Sequence, residues 1–348
     1  MAKKKKVIDP LRVLLLMDRD SVPPENYADL PEEQQHKYRA EVDVRAHLQK
    51  LGHEVRPLGI YDDLTPLRDA IAEFKPQITF NMTEAFRDIH LYDQHVVSHL
   101  ELLGQKYTGC NPRGMTLARD KALTKKIMHY HRIRFPAFAV FARGRKIVRP
   151  KKLPFPLLVK SINVEGSIGI AQASVVHDDQ KFEERVRFIH ESLQTYAIAE
   201  QYIEGRELYV GVLGNLRLTT LPAWELKFDK VPEDAPKIAS RKVKFDLAYQ
   251  KRWGITSGRA EGLPDVAERA LPNLCKRIYR ILGLTGYARL DFRMTPDGAL
   301  YLLEANPNPH IGKSEEFAES AEAAGLKYEH LLQEILKLGL NYHPEILS

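Results

Sequence analysis

Ala288-Arg289-Leu290-Asp291-Phe292-Arg293 and Tyr301-Leu302-Leu303-Glu304-Ala305-Asn306-Pro307 read as two β-strands joined by the turn Thr295-Pro296-Asp297-Gly298. Residues two apart on a strand share a face, so Glu304 and Asn306 point one way and Leu303 and Ala305 the other. A hairpin places Asp291 on the antiparallel neighbour. Two carboxylates and an amide carbonyl form a hard-oxygen set suited to Mg²⁺, which takes a few such ligands together with substrate phosphates. The competing reading is a pair of ordinary strands that end in polar residues.

Working outward, the 348 residues suffice for two or three packed units, and 44% hydrophobic with 28% charged content is that of a soluble globular protein. No apolar run approaches the roughly 20 residues that span a bilayer. Lys3 to Lys6 precede a strand and read as a solvated tail. Cys110 and Cys275 make neither a disulfide framework nor a zinc site, which suits a cytoplasmic setting. The net charge of +6 is spread along the chain without an aromatic recognition motif, so a small polyanion such as a nucleotide explains it as well as nucleic acid does.

The first stretch alternates: strand Arg12–Met17, helix Ala40–Leu51, strand Glu54–Ile60, helix Leu64–Lys75, strand Gln77–Met82, helix Gln94–Leu103. Such alternation implies a parallel sheet whose ligands sit beyond the strand carboxyl ends, here Asp18 to Ser21 and Asn81 to Glu84. A helix at Ala118–Tyr130 carries Lys121, Lys125 and Lys126. Strands at Ala137–Ala142, Leu157–Ser161 and Ile170–Val176, a helix at Asp179–Leu193 and a strand at Ala197–Ile203 follow. Long strands at Leu208–Leu213 and Arg217–Phe228, a polar loop at Asp229–Ala239 and a helix at Asp265–Leu282 lead into the hairpin. Two amphipathic helices close the chain.

Three further pieces carry chemistry. The strand Phe155–Val159 ends in Lys160, and Glu165-Gly166-Ser167-Ile168-Gly169 follows. A lysine beside a small-residue loop suits a phosphate, although a surface lysine before a turn has the same pattern. Ala199-Glu200-Gln201-Tyr202-Ile203-Glu204-Gly205-Arg206-Glu207 is a strand running into a glycine turn. Its backbone can read an adenine edge, and its acids can accept from amine or ribose hydroxyl donors. Gly312-Lys313-Ser314 imitates a P-loop end, but Pro307 stands where the pattern needs glycine. His90/His95 and His129/His131 lack zinc-site companions.

In this order the pieces resemble the ATP-grasp superfamily, specifically its D-alanine–D-alanine ligase-like group, from about Leu100 to Leu336. Leu102 to Gly109, Asp120 to Lys125 and the Asp291/Glu304/Asn306 set match that group's segments. The resemblance implies an α/β fold, α+β in its ATP-grasp part. A Rossmann-like domain (1–115) would precede two ATP-grasp subdomains (116–204 and 205–348) that sandwich ATP. It also implies that Lys121 and Lys160 hold the α- and β-phosphates, while Glu165, Gly166 and Ser167 form a loop over them, with Ser167 serving catalysis. Glu200, Tyr202 and Ile203 would bind adenine and Glu207 the ribose. Asp291, Glu304 and Asn306 would hold two Mg²⁺ ions (Mn²⁺ being the substitute), and Arg289 would stabilise the oxyanion. A third phosphate lysine lies in Arg241 to Asp246, with Lys244 favoured over Lys242.

The implied reaction is ATP-dependent, ADP-forming ligation of a carboxylate to an amine through an acyl phosphate. Its partners would be small amino acids or peptides, with no nucleic acid or membrane, and the family allows a homodimer through the first domain. The acceptor half departs from the pattern. Asp18-Arg19-Asp20-Ser21 and Asn81-Met82-Thr83-Glu84 replace the group's amino-terminal segments, and Asn306-Pro307-Asn308-Pro309-His310 replaces Asn-Thr-x-Pro-Gly. A different amino acid or peptide substrate is the inference. Alternatives are a ligase that modifies a protein terminus and an ATP-binding regulatory module without ligase activity.

Overall fold

The computed structural model describes residues 9–163, 169–232 and 235–344, which build three sheets. In the first, β1 (Arg12–Asp18) lies between β2 (Glu54–Ile60) and β3 (Ile78–Asn81), all parallel. Parallel neighbours need crossovers, supplied by α1 (Glu32–His36) with α2 (Arg39–Lys50), and by α3 (Thr65–Phe74). Leu14 and Leu16 of β1 pack on Leu67 and on Val96 and Leu100 of α4 (Asp93–Leu102). Val13, Leu15 and Met17 face Val44, Leu48 and Leu331. Cover on both faces is why β1 reads as an unbroken apolar run. Leu331 belongs to the last helix, so the chain's end closes the sheet built by its beginning.

After α5 (Pro112–Arg119) and α6 (Lys121–Tyr130), the second sheet runs β4 (Phe138–Phe141), β7 (Ala197–Gln201), β5 (Leu157–Ser161), β6 (Val175–Val176), antiparallel throughout. One face is covered by α7 (Asp179–Ser192) through Phe182, Val186 and Ile189. The third sheet has six strands. Its order is β11 (Ile255–Arg259), β10 (Trp224–Phe228), β8 (Arg206–Leu213), β12 (Tyr287–Met294), β13 (Leu300–Pro307), with β9 (Thr219–Thr220) pairing β8. The short helices α8 (Arg241–Phe245) and α9 (Leu247–Trp253) precede β11. α10 (Asp265–Ile281) buries Leu271, Cys275 and Ile278 against this sheet, and α11 (Glu316–Ala323) and α12 (Tyr328–Leu340) follow β13. Among the described residues no helix is long and apolar enough to cross a membrane.

Three of the elements read from the sequence take a different form, and α8, α9 and β11 fall where the sequence reading placed no element. The helix expected at Ala118–Tyr130 is two helices, because Asp120 is extended and its carboxylate accepts the Ala122 and Leu123 N–H groups at 2.9 Å, capping α6. The strand expected at Ile170–Val176 shrinks to Val175–Val176, since Ser174 Oγ accepts the Ala171 N–H and winds Gln172–Ser174 into a 3₁₀ turn. The strand expected at Arg217–Phe228 is interrupted at Pro222, which has no N–H for a ladder, leaving β9 and β10.

Candidate active site

The hairpin forms as its pattern requires. Gly298 takes φ +81° in the turn and donates its N–H to Thr295 O at 2.8 Å. Pairing from the turn runs Met294 with Leu300 and Phe292 with Leu302. Continued unchanged, that register would set Glu304 opposite Leu290, on the wrong face. A bulge at Leu303 shifts the ladder by one residue, so Asp291 stands opposite Glu304 and Arg289 opposite Asn306. All four side chains then share one face.

Arg289 grips Asp291 with a fork, Nε to Oδ1 at 2.8 Å and the second nitrogen to Oδ2 at 3.0 Å. Asn306 Nδ2 donates to Asp291 Oδ2 at 2.9 Å, which leaves its amide oxygen directed elsewhere. Burial pushes the Asp291 carboxyl up to about 6 against the lowering effect of Arg289. Burial also opposes charge on Glu304, but Lys121, Lys160, Lys244 and Arg289 outweigh it and hold that carboxyl at about 2. The nearest of these cations is Lys121, 3.9 Å from Glu304 Oε2. Among the described residues no three His, Cys, Asp or Glu side chains gather as a metal site. The donor set here is two carboxylates and an amide, which fits a hard divalent cation that keeps water and phosphate ligands.

Opposite the hairpin, β5 delivers Lys160 and β7 delivers Glu200, which is 1% exposed. Lys160 lies 3.1 Å from Glu200 Oε2 and Lys125 lies 2.9 Å from Oε1. The two ammonium groups more than offset the burial that disfavours charge on Glu200, and its carboxyl stays below the usual range. Oε1 accepts no aligned hydrogen bond despite the ion pair and retains acceptor capacity. Between the two sheets opens a cleft of about 630 Å³, its mouth included. Lys160, Glu200, Tyr202, Ile203, Glu207, Lys244, Asp291 and Glu304 all line it.

Glu207 is engaged within the protein. Arg293 donates to its Oε2 at 2.7 Å and Tyr209 to its Oε1 at 2.9 Å. Gly205, at φ +141°, is required where β8 begins, because a Cβ there would collide with the Met294 carbonyl. The polar loop after β10 reaches back over the cleft, with Lys237 donating its N–H to Tyr202 Oη at 3.1 Å and accepting from Arg293 at 2.5 Å. On α8, Lys244 faces the cleft whereas Lys242 is exposed.

The structure thus brings together Lys121, Lys160, Glu200, Tyr202, Ile203, Glu207, Lys244, Arg289, Asp291, Glu304 and Asn306. Glu165, Gly166 and Ser167 lie outside the described residues. Sequence reasoning assigned nothing to Arg293 or Lys125. Both had a signal: Arg293 is two residues beyond Asp291 on the same strand face, and Lys125 is one helical turn beyond Lys121.

Residues 128–337 match the family model for the carboxyl-terminal part of D-Ala–D-Ala ligases. A D-alanine–D-alanine ligase of Syntrophotalea carbinolica is 33% identical over 252 residues, 70% of this chain and 73% of that protein. The chain belongs to the D-alanine–D-alanine ligase-like group of the ATP-grasp superfamily. The ATP-complexed D-alanine–D-alanine ligase of Bacillus anthracis superposes with a TM-score of 0.71 at 22% identity, covering 95% of this chain and 97% of that one. The VanG D-Ala:D-Ser ligase of Enterococcus faecalis does so at 0.67 and 17%, covering 94% and 99%. The fold is therefore the ATP-grasp arrangement of a family of ATP-dependent ligases.

The carboxyl end of the first sheet is built differently from the cleft between the second and third sheets. Asp18, at the end of β1, accepts the Glu84 N–H at 3.3 Å. Glu84 in turn pairs with His310 at 3.2 Å, joining the first sheet to the segment after β13. Burial, with Glu84 adding to it, pushes the Asp18 carboxyl up to about 7, and burial does the same to Glu41. Asp20 is exposed and pairs with Arg19 at 3.6 Å.

Proposed function

We propose that this protein is an ATP- and Mg²⁺-dependent, ADP-forming carboxylate–amine ligase that makes a peptide-like bond on a substrate pair other than two D-alanines. The observation that carries the ATP half is the shared face of Arg289, Asp291, Glu304 and Asn306 beside Lys121, Lys160 and Lys244. Lysines that depress a neighbouring carboxyl to about 2 also attract a polyphosphate. Tyr202 and Ile203 offer a wall for adenine at the far end of the cleft, and Glu200, with Lys160 on its Oε2, lines the same cleft.

In this mechanism Lys121, Lys160 and Lys244 hold the phosphates while the substrate carboxylate attacks the γ-phosphorus in line, releasing ADP and forming an acyl phosphate. Asp291, Glu304 and the Asn306 amide oxygen would hold Mg²⁺, which spreads the charge of the phosphoryl oxygens. A neutral amine then attacks the acyl carbon. Arg289 offsets the charge on the oxygen that becomes negative, and collapse expels phosphate, which takes up the proton the amine loses, and yields the amide. The loop docked through Tyr202 and Arg293 excludes water that would hydrolyse the acyl phosphate. A homodimer through the first domain accords with this reading.

The departure of Asp18 to Ser21, Asn81 to Glu84 and Pro307 to His310 from the group's pattern supports a substrate of its own. A panel of carboxylates and amines, read by coupled ADP and phosphate release, tests both halves. Release that requires one carboxylate and one amine supports ligation. ATP binding without turnover on any pair would favour the regulatory module instead, and turnover only with a protein carboxylate would favour the protein-modifying ligase.

A further inference from the structure

Lys125 is 1% exposed, a full-length lysine side chain enclosed in the protein interior, and the proposed chemistry gives it no task. It reaches from α6 to two different sheets. Its ammonium lies 2.9 Å from Glu200 Oε1 on β7 and donates to Leu303 O on β13 at 2.8 Å. Leu303 is the bulged residue that sets Glu304 opposite Asp291. Lys160 occupies the other oxygen of the same buried carboxylate.

One carboxylate thus pairs with two ammonium groups, only one of which lines the cleft. A phosphate entering the cleft draws Lys160 away from Glu200. Without a second partner, that movement would strand a buried carboxylate, which is among the costliest electrostatic changes a protein interior can suffer. Lys125 cannot follow Lys160, because the Leu303 carbonyl anchors it from the opposite side. We propose that Lys125 is a positioning residue that keeps Glu200 paired when Lys160 turns to the nucleotide, so that ATP is bound without an orphaned charge. The proposal rests on the ATP-dependent reading and adds to it the residue that frees the phosphate lysine.

The test uses the full chain and a non-hydrolysable ATP analogue with Mg²⁺, with affinity measured by calorimetry. Lys125→Met should weaken the analogue at least about tenfold, because Lys160 must then abandon an unpaired buried acid. Adding Glu200→Gln removes that acid, and the double variant should recover to within about threefold of Glu200→Gln alone. A merely structural lysine would not be rescued by deleting a second charge. Wild-type affinity in a folded Lys125→Met variant overturns the proposal. Should Lys125→Met fail to fold, the comparison of Glu200→Gln with the double variant decides. Equal affinity supports the proposal, and a further loss of about tenfold in the double variant overturns it. No binding by the wild type would overturn the ATP reading itself and the proposal with it.

Discussion

The cleft between the second and third sheets and the carboxyl end of the first sheet both hold half-buried or buried acids, yet they treat them oppositely. In the cleft each acid meets a cation: Glu200 meets Lys125 and Lys160, Glu207 meets Arg293, Asp291 meets Arg289, and Glu304 meets Lys121. At the end of the first sheet Asp18 and Glu41 have no ion-pair partner among the described residues, and both carboxyls are pushed up to about 7 by burial. The first region is a frame of paired charges, and in the proposed function a polyphosphate and a divalent cation enter it by exchanging partners. The second is an uncompensated acidic end beside Glu84 and His310. In the proposed function the first region is the nucleotide half, and the second is where the sequence departs from the group's pattern.

The comparison can be broken most decisively at the hairpin. Asp291→Asn and Glu304→Gln should each lower turnover by more than about 100-fold with the fold intact by circular dichroism, since even the partners of metal ligands cost 10–100-fold. Turnover surviving either change would remove the metal assignment. Arg289→Lys keeps a charge but loses the fork on Asp291, and a fall of about 100-fold in kcat is expected from loss of an oxyanion donor. A change confined to KM would show that Arg289 acts in binding alone. Arg293→Met leaves Glu207 buried without its cation and should raise the KM for ATP by about tenfold while KM for the carboxylate holds.

The smallest effect belongs to the acidic end. The folded-state value of Asp18 lies above its ordinary 3.8 and that of Glu41 above 4.5, each at about 7. Such groups contribute stability that is full below the unfolded value and is lost as pH rises through about 7. Asp18→Asn or Glu41→Gln should therefore raise Tm by a few degrees at pH 8 and leave it unchanged near pH 4. Equal shifts at both pH values would show that the effect is not electrostatic.

That the cleft's side chains share one place was legible because their pattern is written locally. Period two on β13 and the turn at Thr295 to Gly298 suffice to put Glu304 and Asn306 on one face. The bulge at Leu303 was not legible, since a one-residue shift leaves no mark in an apolar pair such as Leu302-Leu303. Asp120 was read as helix interior although an aspartate before a helix favours the cap. The pairings of Lys125 with Glu200, Glu207 with Arg293 and Glu84 with His310 join residues 75, 86 and 226 positions apart, distances over which only the tertiary fold acts.

The central claim, that a substrate carboxylate is activated as an acyl phosphate, is tested most directly by isotope transfer. A turnover mixture with ¹⁸O-labelled carboxylate substrate is analysed for label in the released phosphate. Ligation through an acyl phosphate leaves one carboxylate oxygen on each phosphate. Unlabelled phosphate, with ADP still formed, would mean that water and not the carboxylate attacks ATP, and would contradict the account.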